Sequence, residues 1–231
     1  MKLVFEFSKT SNLIYISHLD LMRLFLRVLR MSGLRPVYSQ GFNPHPKMSF
    51  TLPLSLGLYS VCELLEFETE SVNTKDEAEA AVRTVNERMP EGIRVIAWHE
   101  KPAHVTKSLA SYSSAASYEF MCDCLPDAPA LLASFFERDS VIIKKHDKKT
   151  EKEAYKDIRP DMLGWRIIKD IQGRMLAEAT LSAAAGRTLN PSVFFGAFCG
   201  SCGLDAAILK PVITRTRILG ADGKPVTEII L

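Results

Sequence analysis

The sequence predicts an α+β protein made of two tandem ferredoxin-like (βαββαβ) halves with antiparallel sheets. Three observations support this fold class. Strand-like alternation and helix-like periodicity follow one another in the same order in both halves of the 231 residues. Capping residues precede several of the helical stretches. Residues 102–114 are rich in Ser and Ala and show no clear period, so we expect domains at 1–104 and 113–231.

The first half follows the order strand, helix, strand, strand, helix, strand. KLVFEFS alternates and predicts the first strand. Ser17 is placed to cap the helix that follows, and Gly33 is placed to end it. SFTLPLSLGLYSVCELLEFETE contains two strands separated by a turn. Thr74 and Glu77 have the spacing of a capping box for the second helix, which Pro90 ends before the strand IRVIAWH.

The second half repeats this order without repeating the letters. SYEFMCDC predicts a strand, PDAPALLASFFE a helix and SVIIKK a strand, followed by a basic, charged loop through Lys156. WRIIKDIQGRMLAEATLS has the pattern of a hairpin, and Asn190 with Pro191 predicts a helix start. We expect residues 206–218 to be the last strand, with Pro211 confining part of it to an edge or bulge. The tail ADGKPVTEIIL fits either an edge strand or a loose end.

Composition is that of a globular protein and excludes several other classes. Hydrophobic residues make up 47% of the chain and charged residues 24%, which allows a substantial core. No apolar run approaches the roughly 20 residues that span a bilayer, and Glu6 and Lys9 interrupt any signal-peptide core, so we expect a cytoplasmic protein without a membrane partner. The net charge of +2 does not by itself indicate nucleic-acid binding.

The cysteines resemble a metal site only at first sight. Cys122, Cys124, Cys199 and Cys202 are close enough in pairs to suggest zinc or an iron–sulfur cluster. The first pair continues the apolar face of a strand, and the second lies near a helix C-terminus, where the dipole disfavours a thiolate. Five cysteines without an export signal favour reduced, buried thiols. We therefore expect no metal site and no cofactor in this chain.

The first helix carries a basic stripe. Arg23, Arg27 and Arg30 recur at helical spacing, with Asp20 as the one acid beside them. The stripe is either a solvated face or a surface that contacts phosphates, and the sequence favours neither interpretation. The lysine-rich run around 144–156 is interrupted by acids and fits a solvated loop.

The stretch SQGFNPHPK, residues 39–47, presents polar groups on a stiff backbone. Prolines on both sides of His45 restrict its backbone, which suits a binding group and equally suits a rigid plug. Ser39, Asn43 and Lys47 are the other polar candidates in this stretch. His18, in the first turn of a helix, is either a neutral base close to an anion-binding helix end or a residue that packs locally; local packing is the commoner case.

A second candidate motif is Asp157-Ile158-Arg159-Pro160-Asp161. Pro160 predicts an extended Arg159, whose guanidinium offers a planar pair of donors for a carboxylate or phosphate. The alternative is an internal pair between Arg159 and Asp157 or Asp161 that holds the loop, and the sequence slightly favours this alternative. Nucleotide-binding, nucleophile-elbow, zinc-protease and radical-cluster motifs are all missing from the sequence.

Residues 7–60, with the long motifs SHLDLMR and SQGFNPHPK, resemble the radical SAM-linked protein family. DIRPDM (157–162) and RTLNPSVFFGAF (187–198) also resemble the pattern of this family, so the likeness covers nearly the whole chain. The family is a bacterial domain of unknown function, encoded beside or fused to a radical SAM enzyme, and offers no catalytic residues for transfer. The resemblance implies a radical SAM enzyme as partner and directs the substrate hypothesis toward RNA.

Three functional hypotheses follow. The first is a non-catalytic accessory or substrate-recognition module that binds structured RNA, with the arginine stripe on phosphates and Asn43, His45 and Lys47 on a more specific group. The second is a metal-independent RNA nuclease or transferase that uses His18 and His45 as base and acid. The third is a protein–protein docking module without nucleic acid. The second hypothesis requires both imidazoles to face one cleft.

Overall fold

A computed structural model describes residues 1–123, 127–146, 153–171 and 174–230. The contacts divide the chain into two compact units, one formed by Met1–Ser113 with Arg217–Leu231 and one by Ser114–Thr216. Both are mixed α+β with antiparallel strand pairs, which confirms the predicted class, and the described ranges contain five helices. Among these described helices, none has the length and apolar character needed to cross a membrane.

The first unit contains a sheet with two helices on one face. Its elements are β1 (Lys2–Lys9), α1 (His18–Met31), β2 (Met48–Phe50), β3 (Tyr59–Glu68), α2 (Lys75–Arg88) and β4 (Ile93–Glu100). β1 pairs with β3 on one side and with β4 on the other, and β2 pairs with β3, all antiparallel. Because successive strand residues point to opposite faces, Leu3, Phe5 and Phe7 pack toward the helices whereas Val4 packs on the other face.

Local capping explains where the two helices begin. The Ser17 hydroxyl accepts the Asp20 N–H at 3.1 Å and donates to the Asp20 carboxylate at 2.7 Å. Thr74 and Glu77 form the predicted capping box at the start of α2. After α1 the chain reverses through Gly33, whose φ of +80° is accessible to glycine without strain. These starts agree with the sequence analysis because capping depends on neighbours in the chain.

The second unit is built around a long hairpin. Its elements are β5 (Ala115–Asp123), α3 (Ala128–Phe136), β6 (Ile142–His146), β7 (Glu153–Asp157), β8 (Met162–Ile171), β9 (Arg174–Ala184), β10 (Arg187–Thr188), α4 (Pro191–Ser201), α5 (Ala206–Leu209) and β11 (Val212–Leu219), the last of which ends in the first unit. β9 pairs with β5, β8 and β10, and β6 pairs with β7. The predicted hairpin over β8 and β9 is therefore present.

Three details of the second half differ from the sequence analysis. Part of the predicted charged loop is strand β7, because Glu153–Asp157 pairs with β6. Residues 206–209 are helical rather than extended, since the Asp205 carboxylate accepts the Ala207 N–H at 2.8 Å and caps a short turn. Arg159 begins a 3₁₀ turn instead of being extended. Cys124 and lysines 148, 149 and 152 lie outside the described residues.

The C-terminal tail belongs to the first unit by its contacts. Residues 217–231 lie within the predicted second half, 113–231, but Ile218, Val226 and Ile230 are buried with Val4 and Leu64 of the first unit. The tail is neither an edge strand nor loose, because Val226–Ile229 forms a 3₁₀ turn. These side chains cover the sheet face opposite α1 and α2.

Candidate functional site

The 39–47 stretch is a hairpin attached to the end of β3. The Val37 N–H donates to the Glu68 carbonyl at 2.8 Å, and the Glu68 N–H donates to the Lys47 carbonyl at 3.1 Å. Across the hairpin, the Lys47 N–H donates to the Val37 carbonyl at 2.8 Å. A bridge between Tyr38 and Pro46 continues the pairing. The polar residues of the motif are therefore carried by two paired arms.

Ser39 fixes the orientation of His45. The Ser39 hydroxyl lies 3.0 Å from His45 Nδ1 and accepts the His45 N–H at 3.1 Å. The Asn43 carbonyl lies 3.4 Å from the same ring nitrogen. The imidazole is exposed, so its position comes from this local network and the flanking prolines rather than from burial. The Asn43 side chain is exposed beside it.

The basic stripe of α1 meets this hairpin through Arg30. Arg30 Nη2 donates to the Tyr38 hydroxyl, and the guanidinium carbon lies 5.7 Å from the centre of the Tyr38 ring. Arg27 is exposed farther up the helix. Arg23 is paired with Asp20 at 2.9 Å. The Ser17 hydroxyl and Arg23 together lower the pKa of Asp20, so this acid offsets one arginine of the stripe at neutral pH.

His18 and His45 have different surroundings. The His18 ring packs edge-on against Phe50 with ring centres 5.4 Å apart, beside the helix-facing core. His45 lies at the rim of a pocket that His18 does not line. Within the ranges that the structure describes, no contact joins the two side chains. The structure thus provides no support for an acid–base pair.

The pocket is open, has a volume of about 330 Å³, and lies against the end of β3 in the first unit. Its charged and ionisable lining comprises Lys2, His45, Lys47, Glu66, Glu68 and Lys101. His45 and Lys47 were candidates from the sequence, whereas the other four were not. The alternation of strand β3 could have indicated Glu66 and Glu68, because side chains two residues apart point to the same face and both carboxylates therefore share the face of Leu64.

Glu68 holds two lysines at the outer part of the pocket. Its carboxylate lies 3.3 Å from Lys2 Nζ and 2.9 Å from Lys47 Nζ. The hydrogen bond from Lys47, followed by that from Lys2, lowers the pKa of Glu68 below its ordinary value, and partial burial opposes this effect. Glu68 therefore remains ionised at neutral pH. Both lysine side chains are about half exposed, at 52% and 45%.

Glu66 and Lys101 form a buried ion pair at the inner wall. The Lys101 ammonium donates to Glu66 at 2.7 Å and to the Lys107 carbonyl at 2.8 Å. The Ser49 hydroxyl and the Leu109 N–H complete the carboxylate shell at 3.0 and 3.2 Å. The side chains of Glu66 and Lys101 are only 11% and 7% exposed. Such a pair is tolerated where its hydrogen bonds are completed, as they are for this carboxylate.

The second motif organises a turn. The Asp157 carboxylate accepts the backbone N–H groups of Val141 and Arg159, both at 2.9 Å, and these bonds lower the pKa of Asp157. The Arg159 side chain donates to the carbonyls of Arg138 and Met162 at 3.0 and 3.2 Å. The acid and the guanidinium thus stabilise the same turn through backbone groups. This arrangement explains why Arg159 is not extended.

Asp161 is the buried acid of this region. It is 3% exposed and pairs with Lys156 at 2.8 Å and with Arg187 at 3.0 Å. From the sequence, Asp161 is expected only as a partner for Arg159. Neutralisation by two cations explains how its carboxylate is accommodated in the interior. We regard this cluster as structural.

The described cysteines have the environment of core residues. Cys122 and Cys199 are buried and Cys202 is partly buried. Burial, followed by the neighbouring Cys122 thiol, raises the pKa of Cys199 to about 11, so the thiol stays protonated at neutral pH. Within the part of the chain that the structure covers, no three His, Cys, Asp or Glu side chains form a group that could hold a metal.

Comparison with known proteins places the chain in a family. No curated protein matches the sequence. A family model described as "Uncharacterized protein conserved in bacteria (DUF2344)" matches residues 2–191. The matched range contains α1, the 39–47 hairpin, the pocket and the second motif. Because this match covers well over half of the sequence, the chain belongs to the bacterial DUF2344 family.

Proposed function

We propose that this chain is a non-catalytic substrate-recognition module that binds structured RNA for a radical SAM enzyme in the bacterial cytoplasm. The observation that carries the proposal is the contact of Arg30 with Tyr38, which pairs with Pro46. This contact places Arg30, the last arginine of the α1 stripe, against the arm that leads into the 39–47 hairpin. A surface with several cations on two elements suits a phosphate backbone, which sets affinity and register.

Phe42 at the hairpin tip favours a nucleic-acid ligand. Its side chain is fully exposed, with a relative exposure of 105%, and it follows Gly41, whose φ is +139°. An exposed aromatic ring is a platform on which an unpaired base can stack, with about 1–3 kcal/mol per base. Arg27 and Arg30 would then contact neighbouring phosphates, and His45 and Asn43 would contact the base or ribose.

The assignment of a partner rests on the resemblance. A radical SAM enzyme would supply the cluster and the chemistry, and this chain would present the substrate. The proposal includes the tandem ferredoxin-like plan, in which antiparallel sheets carry helices on one face. The order β1, α1, β2, β3, α2 and β4 in the first unit supports this plan for the first half. Sheets of this kind are a common support for RNA binding.

Binding of bulk bacterial transfer RNA, a structured probe, tests the proposal. The double variant Arg27→Gln/Arg30→Gln should weaken binding at least about tenfold and flatten the salt dependence, because each lost phosphate contact lowers the slope by roughly 0.7–0.9. The control Arg83→Gln/Arg88→Gln removes two exposed charges from α2 and should leave affinity unchanged. Fluorescence anisotropy at several salt concentrations measures both quantities.

Equal effects of the two double variants would contradict RNA recognition by this surface. The protein-docking hypothesis would then replace it, because the exposed Phe42 is also suited to an apolar contact with a partner enzyme. Co-purification with the radical SAM protein after nuclease treatment would support that hypothesis.

A further inference from the structure

We propose that the pocket lined by Lys2, Lys47, Lys101, Thr106 and Ser108 binds a phosphate monoester. This inference concerns a small ligand and goes beyond the RNA surface of α1 and the hairpin tip. The pocket volume of about 330 Å³ lies at the lower end of the range for small-molecule sites. The pocket is walled by segments from four parts of the first unit: β1, residues 45–49, β3 and residues 101–108.

The charge of the lining favours an anion. Three ammonium groups, those of Lys2, Lys47 and Lys101, face two carboxylates, those of Glu66 and Glu68. The Glu66–Lys101 pair is internally balanced, so the excess positive charge lies with the two lysines on Glu68. One carboxylate cannot neutralise two ammonium groups. A phosphate in the pocket would compensate the remaining charge.

The exposure of the lysines determines which groups can reach a ligand. Lys2 and Lys47 are about half exposed, and each keeps donors beyond its one bond to Glu68, because an ammonium has three N–H groups. Lys101 is buried and donates to Glu66 and to the Lys107 carbonyl, which positions it as a fixed part of the wall. The site therefore has two ammonium groups that can reorient toward a ligand, those of Lys2 and Lys47, and one that is held in place, that of Lys101.

Hydroxyl groups complete the donor set. Thr106 and Ser108 line the pocket and are exposed. Ser108 precedes a short 3₁₀ turn without forming a side-chain cap, so its hydroxyl is available to a ligand. Ser49 already donates to Glu66. Several ammonium and hydroxyl donors suit the three terminal oxygens and double charge of a phosphate monoester better than they suit the two oxygens of a carboxylate.

The phosphate monoester could come from either of two kinds of ligand. A free metabolite such as a nucleotide carries a phosphate monoester, and so does the 5′ end of a processed RNA. Titration calorimetry with inorganic phosphate, adenosine 5′-monophosphate and adenosine tests the group itself. A short oligoribonucleotide with a 5′-phosphate, compared with the same sequence ending in a 5′-hydroxyl, tests the RNA end.

The discriminating variants are at Ser108 and at the two exposed lysines. Ser108→Asp introduces a negative charge into the pocket and should weaken binding of the phosphate probes at least about tenfold. Ser108→Asn has the shape of the aspartate without its charge and keeps N–H donors, so it should weaken binding much less. An aspartate at this position is itself a good capping residue, so folding is preserved. Lys2→Gln/Lys47→Gln should weaken binding similarly, and Lys75→Gln/Arg83→Gln, which removes two exposed charges from α2, should not.

The site is supported if the protein binds adenosine 5′-monophosphate saturably, does not bind adenosine, and loses this binding in Ser108→Asp. A preference for the 5′-phosphorylated oligonucleotide over the 5′-hydroxyl form assigns the site to an RNA end. Absence of saturable binding of every phosphate probe up to about 1 mM, or equal affinities of Ser108→Asp and Ser108→Asn, would overturn it. The Arg27→Gln/Arg30→Gln variant leaves this pocket intact, so failure of the RNA surface and failure of the pocket are distinguishable.

Discussion

At the scale of single residues, the site depends on how each charge is compensated. His45 is held by one hydroxyl and two prolines, Glu68 by two exposed lysines, and Glu66 by a buried lysine and two further donors. Exposed ion pairs contribute little to stability, while the loss of one partner from a buried pair is costly. The two glutamates of the pocket should therefore respond very differently to the loss of a partner.

Lys101→Met should destabilise the protein by about 3–5 kcal/mol, because it leaves the Glu66 carboxylate buried without its cation. Glu66→Gln/Lys101→Met removes both charges and should recover much of the loss. Urea unfolding monitored by circular dichroism measures the free energies. Lys224→Met breaks an exposed pair with Glu228 and is the control, with an expected change below about 1 kcal/mol. A Lys101→Met variant as stable as this control would contradict the structural role of the pair.

Glu68 should contribute to acid sensitivity. Its folded-state pKa is lowered from 4.5, mainly by Lys47, so its contribution is present above pH 4.5 and is lost as the pH falls through the lowered value. Glu68→Gln should therefore reduce the decline in melting temperature below pH 4.5. Asp20 and Asp157 have lowered pKa values too, so the decline should be reduced rather than abolished. Identical pH profiles of Glu68→Gln and the unmodified protein would show that Lys47 does not stabilise the ionised form.

At the scale of elements, the first unit depends on a close backbone contact between the segment that follows β1 and the segment that precedes β4. Thr10 at the end of β1 and Gly92 before β4 are joined by a hydrogen bond of 2.7 Å from the Thr10 N–H to the Gly92 carbonyl. The two chain segments approach so closely at this point that a Cβ on residue 92 would lie 2.6 Å from the Thr10 carbonyl oxygen. Gly92 also has a φ of +100°. Glycine is required there by space and by conformation.

Gly92→Ala should destabilise the protein by about 2–4 kcal/mol, through backbone strain and the forced separation of Thr10 from residue 92. Gly41→Ala is the matched control, because Gly41 also has positive φ but its added methyl would meet no atom within 4 Å. Thermal unfolding of both variants provides the comparison. Equal losses for the two would mean that close approach at Gly92 adds nothing to conformational strain.

At the scale of the whole molecule, elements that depend on neighbours in the chain were predictable. The helix starting after Thr74 and the helix starting at Pro191 follow from capping chemistry within a few residues. The β8–β9 hairpin follows from two alternating stretches separated by a short connection. The grouping of residues 217–231 with the first unit was not predictable, because Ile218, Val226 and Ile230 are covered by residues more than 100 positions earlier in the chain.

The candidate site divides in the same way. The basic stripe of α1 and the stiff, polar 39–47 segment follow from the sequence alone, because helical spacing and proline act locally. The contact of Arg30 with Tyr38, and the position of Glu66, Glu68 and Lys101 in one pocket with Lys47, arise from tertiary packing. The periodic pattern of a strand or helix specifies which face each side chain occupies, but not which neighbour it meets. That neighbour is set by sheet register and loop packing, which bring together residues distant in the sequence.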